Sequence, residues 1–354
     1  MNKSIDAVLG KVREAGAQAL LVNSPPNRRY LTGFSGSAGT VWISEKRRAL
    51  LTDFRYIEQA KGQCPGWEII HIDELEKSIA ELISQEGVDA VAIEAQHVTV
   101  SQLNAWRKAF SAEIVETEGI VEAVRMVKTP DEVEKIRKAA SIADHAFAQV
   151  LPQLRPGITE LEVAIELEFT MRKAGASGVS FRPIVAAGTR SALPHAEPGR
   201  RVFAHGDFVV MDFGCVVDGY CSDMTRTVVV GEPTEKHLLI YDLVLRAQLE
   251  GLKAVRPGVT AKSVDSVARG IIEEGGYGQY FGHNLGHGVG LEIHERPRLS
   301  PKDETVLEPG MVVTVEPGIY LPDFGGVRIE DLVLVTEDGC SVISSTFKEL
   351  YVVE

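Results

Sequence analysis

The spacing of apolar positions changes several times along the chain, and each change predicts an element. Up to about residue 125, short helical and alternating patterns follow one another. Helices are expected near 4–16, 56–61, 74–85 and 101–110, and strands near 19–22, 40–43, 49–52, 67–72 and 90–93. This alternation predicts an α/β domain built on a mixed sheet. The stretch NRRYLTGFSGSAG, residues 27–39, is rich in Gly and Ser and reads as a loop or turn. Its glycines lack the spacing of a dinucleotide or phosphate-loop fingerprint, and no Gly-Lys-Ser/Thr follows. A structural turn or a partner-facing loop remain as readings.

The pattern shifts at Thr129-Pro130-Asp131-Glu132. Thr as N-cap, Pro in the first turn and two acids at the positive helix end mark a helix start, with the helix running to about 151. A boundary near 124 divides the chain into domains 1–124 and 125–354. The second domain contains an internal repeat. Arg155-Pro156-Gly157-Ile158-Thr159 lies between two long helical patterns, and Arg256-Pro257-Gly258-Val259-Thr260 does the same. GDFVVMD, ending at Asp212, recurs as GMVVTVE, ending at Glu316, and each copy continues into a hairpin pattern. The prediction is a pseudo-two-fold α+β domain: two half-domains, each with two helices and a hairpin, sharing one curved antiparallel sheet.

The first hairpin, residues 208–230, turns at Val217-Asp218-Gly219 and carries Asp212 and Asp223 where an apolar strand should carry Val or Ile. The turn places the two acids near cross-strand register. Carboxylates pressed together in an apolar sheet repel each other and lose hydration. A metal ion resolves that conflict, although two solvated strand-end aspartates would give the same local pattern. The second hairpin decides between these readings, because Glu316 and Glu330 occupy the matching positions. Four carboxylates converging on one place suit hard or borderline divalent ions such as Mn²⁺. Four negative charges exceed what one such ion neutralises, so two ions sharing a carboxylate fit better.

Composition acts mainly by exclusion. With 354 residues, 44% hydrophobic and 25% charged, the chain suits a globular protein of two domains. A net charge of −13 argues against nucleic acid or an anionic membrane as partner. The N-terminal stretch lacks the apolar core of a signal peptide, and no segment approaches the length of a membrane span. The four cysteines are scattered without a CxxC pair. Cys215 and Cys221 flank the hairpin turn, but free thiols in a reducing cytoplasm are expected.

Histidines complete the candidate chemistry. FGHNLGHGVGLEIHE holds His283, His287 and His294 in a Gly-rich segment, where three together are seldom merely structural. His195, in LPHAEP, precedes Asp212 in a stretch able to loop over the sheet, but taken by itself it reads first as a surface-loop histidine.

MDFG, SDMTRT, GHGVGLEIHE, VEPGIY and RIED stand in the order found in the pita-bread metallopeptidases. The C-terminal domain resembles that family: methionine aminopeptidase, aminopeptidase P and prolidase, with creatinase as a metal-free relative. The resemblance implies a metal-ligand set of Asp212, Asp223, His287, Glu316 and Glu330, with Asp223 and Glu330 bridging two ions. Mn²⁺ is the first expectation, and Co²⁺ or Zn²⁺ would fit the same ligands. It further implies that His195 and His294 face the substrate carbonyl, and that Glu316 moves the water proton to the leaving nitrogen. His283, Arg328 and Tyr320 would bind substrate or support those that do.

The N-terminal domain resembles the creatinase/prolidase-type domain of aminopeptidase P and prolidase, on YLTGFSGSAG and LTDFRY. By that resemblance the protein is a homodimer, and loop 33–39 caps the neighbouring subunit's site, favouring short peptides. Arg298, in HERPRLS, falls where prolidases are expected to hold the substrate's free carboxylate, although an exposed loop cation is an equal reading. The expected activity is hydrolysis of Xaa-Pro bonds in short peptides, first as a dipeptidase and second as an aminopeptidase. A non-catalytic peptide-binding scaffold is the remaining alternative, disfavoured by the intact ligand set.

Overall fold

A computed structural model describes residues 2–354. The chain divides into two compact units, the first ending at Arg125 and the second starting at Met126.

The first unit is a six-stranded mixed sheet. Its order is Glu68–His71, Arg48–Thr52, Thr40–Ser44, Ala19–Val22, Ala90–Glu94, Glu113–Thr117. Ala19–Val22 pairs antiparallel with Thr40–Ser44 and parallel with Ala90–Glu94. It is buried on both faces, which explains its unbroken apolar run Ala-Leu-Leu-Val. Three elements differ from the sequence expectation. Pro25–Thr32 is a helix, so only part of the 27–39 segment is loop. Proline opens this helix and Gly33, at φ 81°, closes it in the left-handed conformation. Glu113–Thr117 is an additional edge strand whose half-exposed, charged pattern gave little alternation to read. The helix Ile120–Arg125 was likewise not expected. Loop 33–39 is held from inside: buried Arg28 donates to the Gly36 and Gly39 carbonyls, both at 2.7 Å.

The second unit builds the repeat twice. Helices Pro130–Val150 and Glu160–Lys173 match Glu235–Ala254 and Ala261–Glu274. Thr129, Thr159, Thr234 and Thr260 each cap their helix with a side-chain oxygen. The likeness extends to irregular backbone. Phe203 N–H donates to the Ile158 carbonyl as Leu307 N–H does to that of Val259, each at 2.8 Å.

The antiparallel framework is built as several ladders. Phe208–Phe213 and Met224–Val230 pair with each other, flanked by Ile184–Ala187 and, in parallel, by Tyr351–Val353. Val312–Val315 pairs with Asp331–Val335, and Gly318–Leu321 with Gly325–Arg328. The core is continuous with the inner faces of these strands and their helices. The first hairpin turns where expected, with Asp218 and Gly219 at φ 49° and 88°, the double positive-φ pair of a tight hairpin. Its register pairs Asp212 with Thr225, so Asp223 is the diagonal neighbour of Asp212 on one face instead of facing it directly.

Candidate active site

Asp212 lies within the paired strand Phe208–Phe213, whereas the other three acids lie where pairing breaks. Asp223 sits between the short strand Tyr220–Cys221 and Met224–Val230. Glu316 sits between Val312–Val315 and Gly318–Leu321, and Glu330 between Gly325–Arg328 and Asp331–Val335. These interruptions let carboxylates turn inward without spoiling the neighbouring ladder. The hairpins touch at the acids: Glu330 N–H donates to the Thr225 carbonyl at 3.1 Å, and the Thr225 hydroxyl to the Glu330 carboxylate at 2.7 Å.

His287 arrives on the strand Gly286–Gly288, between Glu295–Leu299 and Val312–Val315. Glycine at 286 is a packing requirement, since a Cβ there would lie 2.0 Å from the Thr314 carbonyl oxygen. The His287 ring approaches the Gly288 carbonyl through Nδ1 at 3.0 Å. With the Nδ1 proton donated there, Nε2 keeps its lone pair and points at the carboxylates, 3.5 Å from Asp223 and 3.3 Å from Glu316.

The ligand atoms of Asp223, His287 and Glu330 lie within 4.8 Å of one another, a spacing that suits a shared ion. Asp212 Oδ1, Asp223 Oδ1 and Glu330 Oε1 are buried without a hydrogen-bond partner. Buried orphaned carboxylate oxygens are costly, and here all three belong to the cradle. Burial together with mutual repulsion drives the Asp223 and Glu330 carboxyls well above their ordinary range. Burial raises Glu316 to about 8, against the pull of Arg328. Burial also lowers His287 to about 4, helped by His294. His287 is already the neutral imidazole that a cation takes as ligand, and a divalent cation would reverse the carboxyls' hold on their protons, so these residues fit divalent metal.

One cavity of about 540 Å³ contains the cradle, together with His195, His283, His294, Arg298 and Arg328. Three arginines line it, in different conditions. Arg328 is buried and committed, donating to Asp212 at 2.6 Å, the Tyr320 hydroxyl at 2.8 Å and the Thr225 hydroxyl at 3.1 Å. Burial opposes its charge, but Tyr320, Asp212 and Glu316 outweigh that and hold it well above its ordinary value. The Arg298 guanidinium has no side-chain partner among the described residues. Arg182 makes one contact with Glu197.

Tyr320 does not line the cavity. Its hydroxyl accepts from Arg328 and lies 2.9 Å from His283 Nε2. His283 Nδ1 in turn lies 2.8 Å from the Asn284 carbonyl. A consistent chain of donors runs from Arg328 through Tyr320 to neutral His283, whose pKa burial depresses to about 4. Tyr320 therefore touches the groups around the substrate space and not that space itself.

Sequence reasoning did not find the apolar wall, formed by Phe181, Pro183, Ile184, Pro194 and Ile293. The available signal was the run FRPIV just before the His195 segment. Nor did it find Thr225 and Thr314, whose hydroxyls fix Glu330 and Glu316 at 2.7 and 3.1 Å. Each lies two positions from an acid of the repeat.

Comparison with known proteins gives the family. Residues 134–337 match the model of metallopeptidase family M24, and residues 5–127 that of the creatinase/prolidase N-terminal domain. The chain belongs to the M24 metallopeptidases, and it is a peptidase of their prolidase type. A solved Xaa-Pro dipeptidase from Bacillus anthracis is 47% identical, with TM-score 0.97 and 99% of each chain covered. A solved X-Pro aminopeptidase from Thermotoga maritima MSB8 is 40% identical, with TM-score 0.91, covering 96% of this chain and 99% of that one. The Xaa-Pro dipeptidase of Pyrococcus furiosus is 40% identical over 99% of this chain and 100% of its own.

Proposed function

We propose that the protein is a dinuclear metal-dependent Xaa-Pro dipeptidase. The observation carrying this reading is a single cavity that combines the orphaned carboxylate cradle, an apolar wall and an unpartnered Arg298. Asp212, Asp223, His287, Glu316 and Glu330 would hold two divalent ions, Mn²⁺ first. When bound, such ions supply an activated water and polarise the scissile carbonyl.

The chain's own residues do the rest. The wall of Phe181, Pro183 and Ile184 receives the pyrrolidine ring of proline by excluding water from it. Arg298 presents its planar fork to the substrate's terminal carboxylate. His195 and His294 face the reacting carbonyl and donate to its oxygen as negative charge develops. Burial and the nearby Arg298 lower His294 below the ordinary imidazole range, so it donates as a neutral ring. Glu316, positioned by Thr314, accepts the water proton and returns it to the leaving nitrogen. Arg328 locks Asp212 in place and, through Tyr320, orients His283.

An Xaa-Pro aminopeptidase is the second reading, favoured by the likeness to the Thermotoga maritima structure. The test is hydrolysis of Ala-Pro, Ala-Pro-Ala and Met-Ala-Ser by Mn²⁺-loaded protein. Preference for Ala-Pro is expected. Cleavage of the tripeptide Ala-Pro-Ala alone would replace the dipeptidase reading, and cleavage of neither proline peptide would end the peptidase reading. The same proposal includes a cytoplasmic location and a homodimer with loop 33–39 at the neighbouring site. Sedimentation as a monomer would remove the dimer. Among the described residues, no helix is long and apolar enough to cross a membrane.

A further inference from the structure

Besides Arg298 and the committed Arg328, a further cation, Arg182, lines the cavity. Arg182 lies on the segment leading into Ile184–Ala187, and Glu197 lies two residues past His195. Both line the cavity, and their side chains are 67% and 71% exposed. Arg182 Nη1 meets Glu197 Oε1 at 2.6 Å. The contact is single, not a bidentate fork, and the other guanidinium nitrogens have no partner among the described residues. Exposed pairs of this kind are weak, so another carboxylate can displace Glu197 at little cost. The contrast with Arg328 is chemical as well as positional. Arg328 has spent its nitrogens on Asp212, Tyr320 and Thr225 and is buried, so it has nothing left to offer a ligand.

Resting on the dipeptidase reading, we infer that Arg182 and Glu197 form a charge-exchange pair that sets specificity for a free C-terminal carboxylate. Arg182 gives up its contact with Glu197 when the substrate carboxylate enters beside Arg298. Glu197 neutralises Arg182 in the empty cavity and repels anions that do not make that exchange. The ligand class is therefore a short peptide ending in a free carboxylate close to the scissile bond. A neutral C-terminus gains nothing from the exchange. Binding is affected and chemistry is not, because neither residue is among the groups that hold metal or move the proton.

The two partners should then have opposite effects, which a merely structural tie between the 182 segment and the His195 loop would not produce. Arg182→Gln removes the cationic donor to the substrate carboxylate and leaves Glu197 uncompensated. The KM for Ala-Pro should rise about fivefold or more with little change in kcat. Glu197→Gln frees Arg182, and the KM for Ala-Pro should fall severalfold. The neutral control is Ala-Pro amide, measured as a competitive inhibitor of Ala-Pro cleavage, so that its own turnover is irrelevant. Its inhibition constant should move less than twofold in both variants. Raising the ionic strength should shrink the Ala-Pro effects, as for any exposed charge pair.

The inference is overturned if both substitutions shift the KM for Ala-Pro in the same direction. Unchanged KM values, or equal shifts for Ala-Pro and its amide, overturn it as well. Failure of the underlying reading looks different, because the unmodified Mn²⁺-loaded enzyme would then not cleave Ala-Pro at all.

Discussion

Removing metal from the protein should leave a fold whose stability falls as the pH rises through neutrality. The cause is the cradle. Burial and mutual repulsion hold the Asp223 and Glu330 carboxyls well above their ordinary range, and burial holds Glu316 at about 8. A carboxyl raised by folding keeps its proton in the folded state after the unfolded chain has lost it. Its contribution is fully present at low pH and is lost as the pH rises through the folded value. The buried imidazoles act in the opposite sense at lower pH. His283 and His287, near 4 when folded, add stability between about 4 and the ordinary imidazole value of roughly 6.5, and nothing above it. The window from pH 6.5 to 8 therefore isolates the carboxyls. Each proton retained there costs about 1.4 kcal/mol per pH unit, so Glu316 alone removes roughly 2 kcal/mol across the window. The assay is urea unfolding of chelator-treated protein, followed by circular dichroism at several pH values in this range. Mn²⁺ should abolish the slope, since bound cations keep the carboxylates ionised. Glu316→Gln should reduce the metal-free slope by about one proton's share. A metal-free stability that is flat or rises over this window would refute the reasoning.

Further predictions follow from the same network. Asp331 is fully buried and accepts from Arg226, Gln248 and Lys348 at 2.8, 2.8 and 2.6 Å, so Asp331→Asn should lower stability by about 3–5 kcal/mol in chemical denaturation. Tyr320→Phe should cut kcat/KM by about tenfold or more while metal content, measured by elemental analysis, stays within error. Loss of metal in that variant would assign Tyr320 to the cradle instead. Glu316→Gln should retain some metal and lose turnover, and near-normal turnover would remove Glu316 as the proton carrier.

The repeat made much of this site legible before the fold was known. Asp212 and Glu316 end matching apolar runs, and Asp223 and Glu330 stand on the return strands, so hairpin geometry alone drew four acids together. The repeat was needed because the local pattern of one hairpin also fits two solvated strand-end aspartates, and only the matching acids of the second copy decide between the readings. What stayed hidden depends on long-range contact. Nothing near Arg328 in sequence says that its fork is consumed by Asp212 and Tyr320, which lie on other strands. The Arg182–Glu197 contact joins segments separated by a strand and a loop. The diagonal placement of Asp223 followed from a register set by the Asp218-Gly219 turn, a shift too small for the apolar pattern to reveal. In the first unit, Pro25–Thr32 escaped notice because its polar residues Asn27 and Arg28 face inward, where Glu94 and loop carbonyls accept from them. Helical periodicity is masked when the buried face is polar.

The central claim is that a five-residue cradle, loaded with two divalent ions, cleaves dipeptides ending in proline. Chelated protein titrated with Mn²⁺, with bound metal and Ala-Pro turnover measured on the same samples, tests it most directly. Turnover should be absent without metal and reach its plateau at two ions per chain. Full turnover in the metal-free sample, or metal-loaded protein that leaves Ala-Pro intact, would contradict the account.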